Sequence, residues 1–238
     1  MNINQNLKNE IYFVIPAYNE GMELIKVLDN LHENGFSNLI VIDDGSTDSS
    51  ALNITSLNTK INNLVLLEHV INRGQGAALK TGIDFALDCD DCKYIVTFDS
   101  DGQHRLSDLH HFITELEIGT CDIAIGSRFI NPESKKNIPF KKKILLKGAL
   151  FVTYYLSRNW FTDTHNGYRV MNKTAARKIN ISLDRFEHAS EILNEVVVNK
   201  IPYKEVPVII DYTEYSIAKG QKISNAIKIL VKMIFKTN

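Results

Sequence analysis

From Ile11 to Arg128 the chain repeats one pattern, and that pattern limits the folds open to it. A short uninterrupted apolar run is followed by a polar loop, and the loop by a stretch with apolar residues at helical spacing. Ile11 to Ile15, Leu39 to Ile42, and the runs inside "NLVLLEHV", "KYIVTFDSDG" and "CDIAIGSRF" read as strands buried on both faces. Between them, Glu20 to Glu33, a segment opening at "SSALNITSL", Gly76 to Leu87, and "SDLHHFITELE" with Ser107 as N-cap read as helices. Such alternation predicts an α/β fold with a mostly parallel central sheet and helices on both faces. Ligands in these sheets bind beyond the carboxyl ends of the strands. The polar loops "PAYNE", "DDGSTD", "NRGQG", "DSDGQH" and "GSRF" all follow strands, so they should meet on one rim.

The second half reads differently. "NPESKKNIPFKKK" is a basic loop and "ILLKGALFVTYYLSRNWF" a helix with a broad apolar face. "TDTHNGYRVMN" is a polar turn leading to a short strand, "FEHASEILNEVVVNK" a helix, "YKEVPVIIDY" a strand, and "KISNAIKILVKMIFK" a lysine-rich amphipathic helix. No repeat or low-complexity linker divides the 238 residues, so the chain reads as one domain. Within it, 11–130, 131–215 and a basic tail, 216–238, differ in pattern.

The formal net charge is -1, which gives no global basic field for nucleic acid. The polar start "MNINQNLKNE" lacks the apolar core of a signal peptide. No apolar run reaches the roughly 20 residues of a membrane-spanning helix. The cysteines, Cys89, Cys92 and Cys121, are sparse and odd in number, as in a reduced cytosolic protein. Cys89 and Cys92 form a C-x-x-C, but no second ligand pair completes a zinc site, so they read as incidental.

"FDSDGQH" carries the sharpest chemistry. Asp99 and Asp101 repel one another at the end of a buried strand unless a cation lies between them. Hard oxygen ligands at an open site suit Mg²⁺ or Mn²⁺ shared with a diphosphate, and Gln103 adds a neutral oxygen. A solvated acidic turn is the plain alternative. Asp43 or Asp44 in "DDGST" can accept hydrogen bonds from a base or ribose, although these residue types also favour turns and caps. Gly74 and Gly76 in "RGQG" offer backbone N–H groups at a helix start, where an anion can bind. The loop is neither a Walker loop nor a dinucleotide fingerprint, since Leu79 stands where the latter needs glycine.

In order, "IPAYNE", "VIDDGSTD", "NRGQGAALKTG", "FDSDGQH" and "GSRF" resemble the family 2 glycosyltransferases, in particular the dolichyl- and polyprenyl-phosphate branch. The resemblance runs from Ile11 to Asp211. It implies a GT-A fold, a nucleotide-sugar donor, a divalent metal (Mn²⁺ or Mg²⁺) and inversion at the anomeric carbon. By position it implies donor binding by Pro16, Ala17, Tyr18, Glu20, Asp43, Asp44, Gly74, Gly76, Asp99, Ser100 and Asp101. Asp99, Asp101 and Gln103 would hold the metal, with Asp101 the more direct ligand. Arg128 would face the diphosphate or an acceptor phosphate; a surface salt bridge is the alternative.

The acceptor side departs from the family pattern. "TDTHNGYRVM" keeps Asp163 and Arg169 but has His165-Asn166 where Thr-Ser is common. "HASEIL" puts His188 and Glu191 on one helix face. Glu191 is the first candidate for a general base and Asp163 the second; a packed histidine and a turn acid are the plain readings of His188 and Asp163. "YTEYSIAKGQKIS", with Lys219, departs from the pattern of the lipid-phosphate synthases, which argues against a simple polyprenyl-phosphate acceptor. Lysines before the apolar helix and in the tail suit peripheral contact with an anionic membrane surface, at the cytoplasmic face. The leading expectation is transfer from a UDP-sugar to a lipid-linked or glycan acceptor in cell-envelope polysaccharide synthesis. A polyprenyl-phosphate glycosyl synthase is the alternative. A sugar nucleotidyltransferase is a third reading, disfavoured because "IPAYNEG" lacks that class's glycine-rich, basic N-terminal loop.

Overall fold

A computed structural model of the protein describes residues 3–48, 50, 54, 60–130, 159–185 and 187–211. Its strands are β1 (Ile11–Ala17), β2 (Leu39–Asp43), β3 (Leu64–Glu68), β4 (Tyr94–Thr97), β5 (Ile123–Ser127), β6 (Arg169–Asn172) and β7 (Tyr203–Pro207). The helices are α1 (Gln5–Lys8), α2 (Gly21–Glu33), α3 (Gln75–Asp88), α4 (Leu109–Glu117), α5 (Lys173–Lys178) and α6 (His188–Val198). The expected helix after Ser50, the basic loop, the apolar helix that follows it and the C-terminal tail, with Lys219, lie largely or wholly outside the described residues.

The strands form one seven-stranded sheet in the order β3-β2-β1-β4-β6-β5-β7. β3, β2, β1 and β4 are parallel, with Val14 opposite Ile40 on one side and Thr97 on the other. β6 enters antiparallel between β4 and β5, pairing Thr97 with Arg169 and Ile125 with Arg169. β5 then pairs in parallel with β7. The sheet is thus mostly parallel, as expected, with one reversed strand whose place the sequence pattern did not reveal.

Successive residues of a strand face opposite sides, and β1 feeds two cores in this way. Ile11, Phe13 and Ile15 pack with Leu24, Leu28 and Leu31 of α2 and Phe112 of α4. Tyr12 and Val14 pack with Ala78 and Ile83 of α3 and Ile192 of α6. Each such apolar side chain contributes about 1.5–3 kcal/mol on burial. Leu28, fully buried on α2, would cost about 2–5 kcal/mol as alanine, because the transfer loss adds to a cavity.

Ser107 is not the N-cap of α4. A single 3₁₀ turn, Leu106–Asp108, precedes that helix, and Asp108 occupies the cap position without a side-chain cap bond. The Asp108 carboxylate instead accepts the Ile209 N–H at 2.8 Å, fixing the chain beyond β7.

Candidate active site

The ends of β1, β2 and β4 meet on one rim, as the loop pattern predicted. The Ser100 hydroxyl donates to the Pro16 carbonyl at 2.8 Å, tying the end of β4 to β1. The Ala17 carbonyl accepts the Asp44 N–H at 2.8 Å, tying β1 to the loop after β2. Ser100, expected to touch the donor, therefore serves the rim through its hydroxyl. Tyr18 stands 41% exposed at the end of β1, ahead of Glu20 and the start of α2.

The two acids at the end of β2 have separate tasks. Asp43 accepts the Ser46 N–H and hydroxyl, closing its own turn. Asp44 reaches across to the glycine loop. It accepts the Arg73 N–H at 3.0 Å and the Gly74 N–H at 2.6 Å, and its Oδ1 lies 2.7 Å from His69 Nδ1. Both carboxylates are buried, and Asp44 acts here as a loop anchor.

The glycine loop also departs from expectation. The Gly76 and Ala77 N–H groups donate to the Asp184 carbonyl at 2.8 and 3.2 Å. A methyl on Gly76 would lie 2.1 Å from the Leu183 carbonyl oxygen, and Gly74 has φ +115°, which favours glycine. Gly74 and Gly76 thus let two backbones touch. The N–H groups expected to cradle an anion are spent inside the protein.

Beyond β4, Asp99 is held on both oxygens. Gln75 Nε2 donates to Oδ1 at 2.8 Å, and His104 Nε2 lies 2.9 Å from Oδ2. Burial alone would raise the Asp99 carboxyl, but His104 and the nearby His188 and Arg169 hold it below its usual range. Asp101 accepts the Gln103 N–H at 3.1 Å. Burial, and then the charge of Asp99, push the Asp101 carboxyl up to about 6. Two carboxylates with opposed shifts and a repulsion between them form a site that a cation would relax.

Beyond β5, Arg128 and Asp163 form a buried ion pair. Nε and Nη2 donate to the two carboxylate oxygens at 2.6 and 2.7 Å, and the Arg128 N–H adds a bond at 3.1 Å. Burial would raise the Asp163 carboxyl, but Arg128 outweighs it and holds it low. The structure thus places Asp163, the second base candidate, as the partner of Arg128. The surface salt bridge considered for Arg128 is a buried one.

Glu191, the first base candidate, is engaged as well. From the first turn of α6 its oxygens accept the Ser182 N–H and hydroxyl and the Leu183 N–H. It anchors the segment that backs the glycine loop. His188 is buried, with Nδ1 2.7 Å from the Arg185 carbonyl oxygen, and burial lowers its pKa to about 4. His165 is lowered to about 4 for the same reason. Arg169 is 1% exposed; it donates to the Ala189 carbonyl at 3.3 Å, while its Nε and Nη1 have no partner among the described residues. Asp99 and Asp163 both stabilise its charge against burial.

The structure brings Asp99, Arg169 and His188 within electrostatic reach of one another. It also adds two residues that were not predicted as site residues, Gln75 and His104. His104 stood inside the quoted motif, but only the fold shows that its ring packs between Phe98 and Tyr168, with centroids 5.3 and 5.0 Å away.

The sheet is of the α/β kind that binds ligands at the carboxyl ends of its strands, and comparison with known proteins gives the family. The model of the family "Glycosyl transferase family 2" matches residues 12–180, and the chain belongs to that family, in its polyprenyl-phosphate glycosyltransferase-like branch. It is a glycosyltransferase with the GT-A fold, which sets the nucleotidyltransferase reading aside. An uncharacterised protein of Methanocaldococcus jannaschii is 38% identical, covering 98% of this chain and 95% of that one. The UDP-N-acetylglucosamine–dolichyl-phosphate N-acetylglucosaminyltransferase of Methanococcus voltae is 34% identical, with 94% of each chain covered. Among solved structures, glucosyl-3-phosphoglycerate synthase of Mycobacterium tuberculosis matches with a TM-score of 0.66 at 14% identity, covering 96% of this chain and 81% of that one.

Proposed function

We propose that the protein transfers one sugar from a UDP-sugar to the phosphate of a polyprenyl phosphate at a membrane surface, with inversion at the anomeric carbon. One observation carries this choice of acceptor. Both carboxylates expected to serve as a base, Glu191 and Asp163, are committed to other partners. A hydroxyl acceptor needs a base, whereas a phosphate is already an anion and needs none. The name of the Methanococcus voltae relative supports the same acceptor. That likeness outweighs the departure around Lys219, and it moves the reading from a general cell-envelope glycan to the polyprenyl-phosphate alternative.

In this reading an acceptor phosphate oxygen bonds to the anomeric carbon. The bond from that carbon to the diphosphate breaks, and UDP leaves with the electron pair. Asp101 and Asp99 would hold a divalent cation shared with the diphosphate. No group of three or more His, Cys, Asp or Glu side chains encloses an ion among the described residues. Mg²⁺ at such sites is commonly bound by one or two carboxylates plus phosphate oxygens. The cation would neutralise charge growing on the leaving diphosphate. In this reading Tyr18 and Asp43 would serve the nucleoside, and Arg169 would lend positive charge to the site.

Among the described residues no helix is long and apolar enough to cross a membrane. Contact would be peripheral, on the cytoplasmic side, through the lysine-rich segments outside the described residues. The test supplies labelled UDP-sugars with polyprenyl phosphate or with the unphosphorylated polyprenol in detergent. Product on the phosphate alone, lost in Asp101→Ala, is expected. Transfer to a hydroxyl acceptor but not to the phosphate would overturn the reading.

A further inference from the structure

Asp99 lies where its own stretch of chain meets two others, the start of α3 and the turn before β6. Gln75, the first residue of α3, holds Oδ1 at 2.8 Å. His104, five residues beyond Asp99, meets Oδ2 at 2.9 Å. Gly167, ahead of β6, presses its Cα side against the same carboxylate, so that a methyl there would lie 2.6 Å from Oδ2 and 2.8 Å from Oδ1. Thr97, the last residue of β4, donates its hydroxyl to the Gly167 carbonyl at 2.6 Å, which keeps that approach close.

Neither holder is loose. Gln75 follows Gly74, whose N–H is bound by Asp44, and precedes Gly76, whose N–H is bound by the Asp184 carbonyl. It also opens α3, so the positive end of the helix faces the carboxylate. His104 is 7% exposed, and its ring is set by Phe98 and Tyr168. A carboxylate has about four lone-pair sites. Two donors, one on each oxygen, leave about two of those sites for other partners.

We infer that Gln75 and His104 are positioning residues: they clamp the Asp99 carboxylate so that its free lone pairs and the Asp101 carboxylate face the same divalent cation. The inference rests on the proposed metal-diphosphate chemistry and goes beyond it, because it assigns roles to two side chains that would touch neither the cation nor the sugar. Partners that orient a ligand commonly change metal affinity by about 10–100-fold when removed.

The test measures Mn²⁺ binding by the loss of its free electron-paramagnetic-resonance signal, in the presence of UDP and without turnover. His104→Phe keeps the aromatic packing and removes the donor. His104→Gln keeps an amide nitrogen near the position of Nε2. Gln75→Leu removes the other donor from a half-buried site, so it carries the test if His104→Phe fails to fold. The expected result is a Mn²⁺ affinity weakened by about 10-fold or more in Gln75→Leu and His104→Phe, recovered in large part by His104→Gln. The KM for polyprenyl phosphate should stay unchanged. Unaltered Mn²⁺ affinity in folded Gln75→Leu and His104→Phe would overturn the clamp alone. Failure of the unaltered protein to bind Mn²⁺ with UDP would overturn the proposed chemistry and the clamp together.

Discussion

Arg128 and Asp163, 35 residues apart in sequence, are joined by two side-chain hydrogen bonds of 2.6 and 2.7 Å with almost no exposure to water. Removing one partner leaves the other charge buried and unpaired, which costs about 3–5 kcal/mol. Arg128→Met should lower the urea midpoint by that margin, and Asp163→Asn in the same chain should restore part of it. Because the folded Asp163 carboxyl sits below its ordinary value, its contribution is complete at neutral pH. It is lost only as pH falls below the ordinary aspartate range. Equal midpoints for the single and double variants would show that the pair is not coupled.

His188 carries the opposite charge logic. Its folded pKa of about 4 lies below the ordinary histidine value of 6.5, so the unfolded chain binds a proton that the folded one refuses. Stability should therefore be full above pH 6.5 and decline as pH falls toward 4, by about 3 kcal/mol for this residue. Replacing His188 with Gln should flatten the stability curve in that window. An unchanged slope would mean that another group is responsible.

Glu191→Gln should leave the pH–rate profile as it is, since Glu191 takes no proton in the proposed reaction. Glu191→Ala should cost about 1–3 kcal/mol, because the Ser182 and Leu183 N–H groups lose their acceptor. Loss of all transfer in a folded Glu191→Gln protein would restore Glu191 as the base.

Gly76→Ala sets a methyl 2.1 Å from the Leu183 carbonyl oxygen and 2.9 Å from His188 Cβ. The first neighbour is backbone and cannot swing away. We expect a lower melting temperature, corresponding to about 1–3 kcal/mol. If Gly76 instead served the donor directly, stability would hold and the KM for the nucleotide-sugar would rise.

Much of this was legible in the sequence. Runs such as Ile11 to Ile15 have no polar face to place in water, so their burial in a sheet follows from composition. The place of β6 was hidden, because four residues beginning with Arg169 carry no mark of their neighbours. Asp99 and Asp101 stood out because like charges seldom end a buried strand. Their holders did not, since Gln75 is an ordinary polar residue until the fold carries it to Asp99, 24 positions away. The partners of Glu191 and Asp163 were hidden for a related reason. An acid that accepts backbone N–H groups from a distant segment has the same letter as an acid that takes a proton.

The reversed strand β6 has a consequence for how the molecule is made. β5 belongs to the first half of the chain, yet its sheet partners are β6 and β7, both from the second half. As the chain emerges from the ribosome, β1 to β4 can pair among themselves, but β5 must wait until Asn172 is available. A cut after residue 130 would strand β5 and bare one side of β4, so the two halves should fold together or not at all.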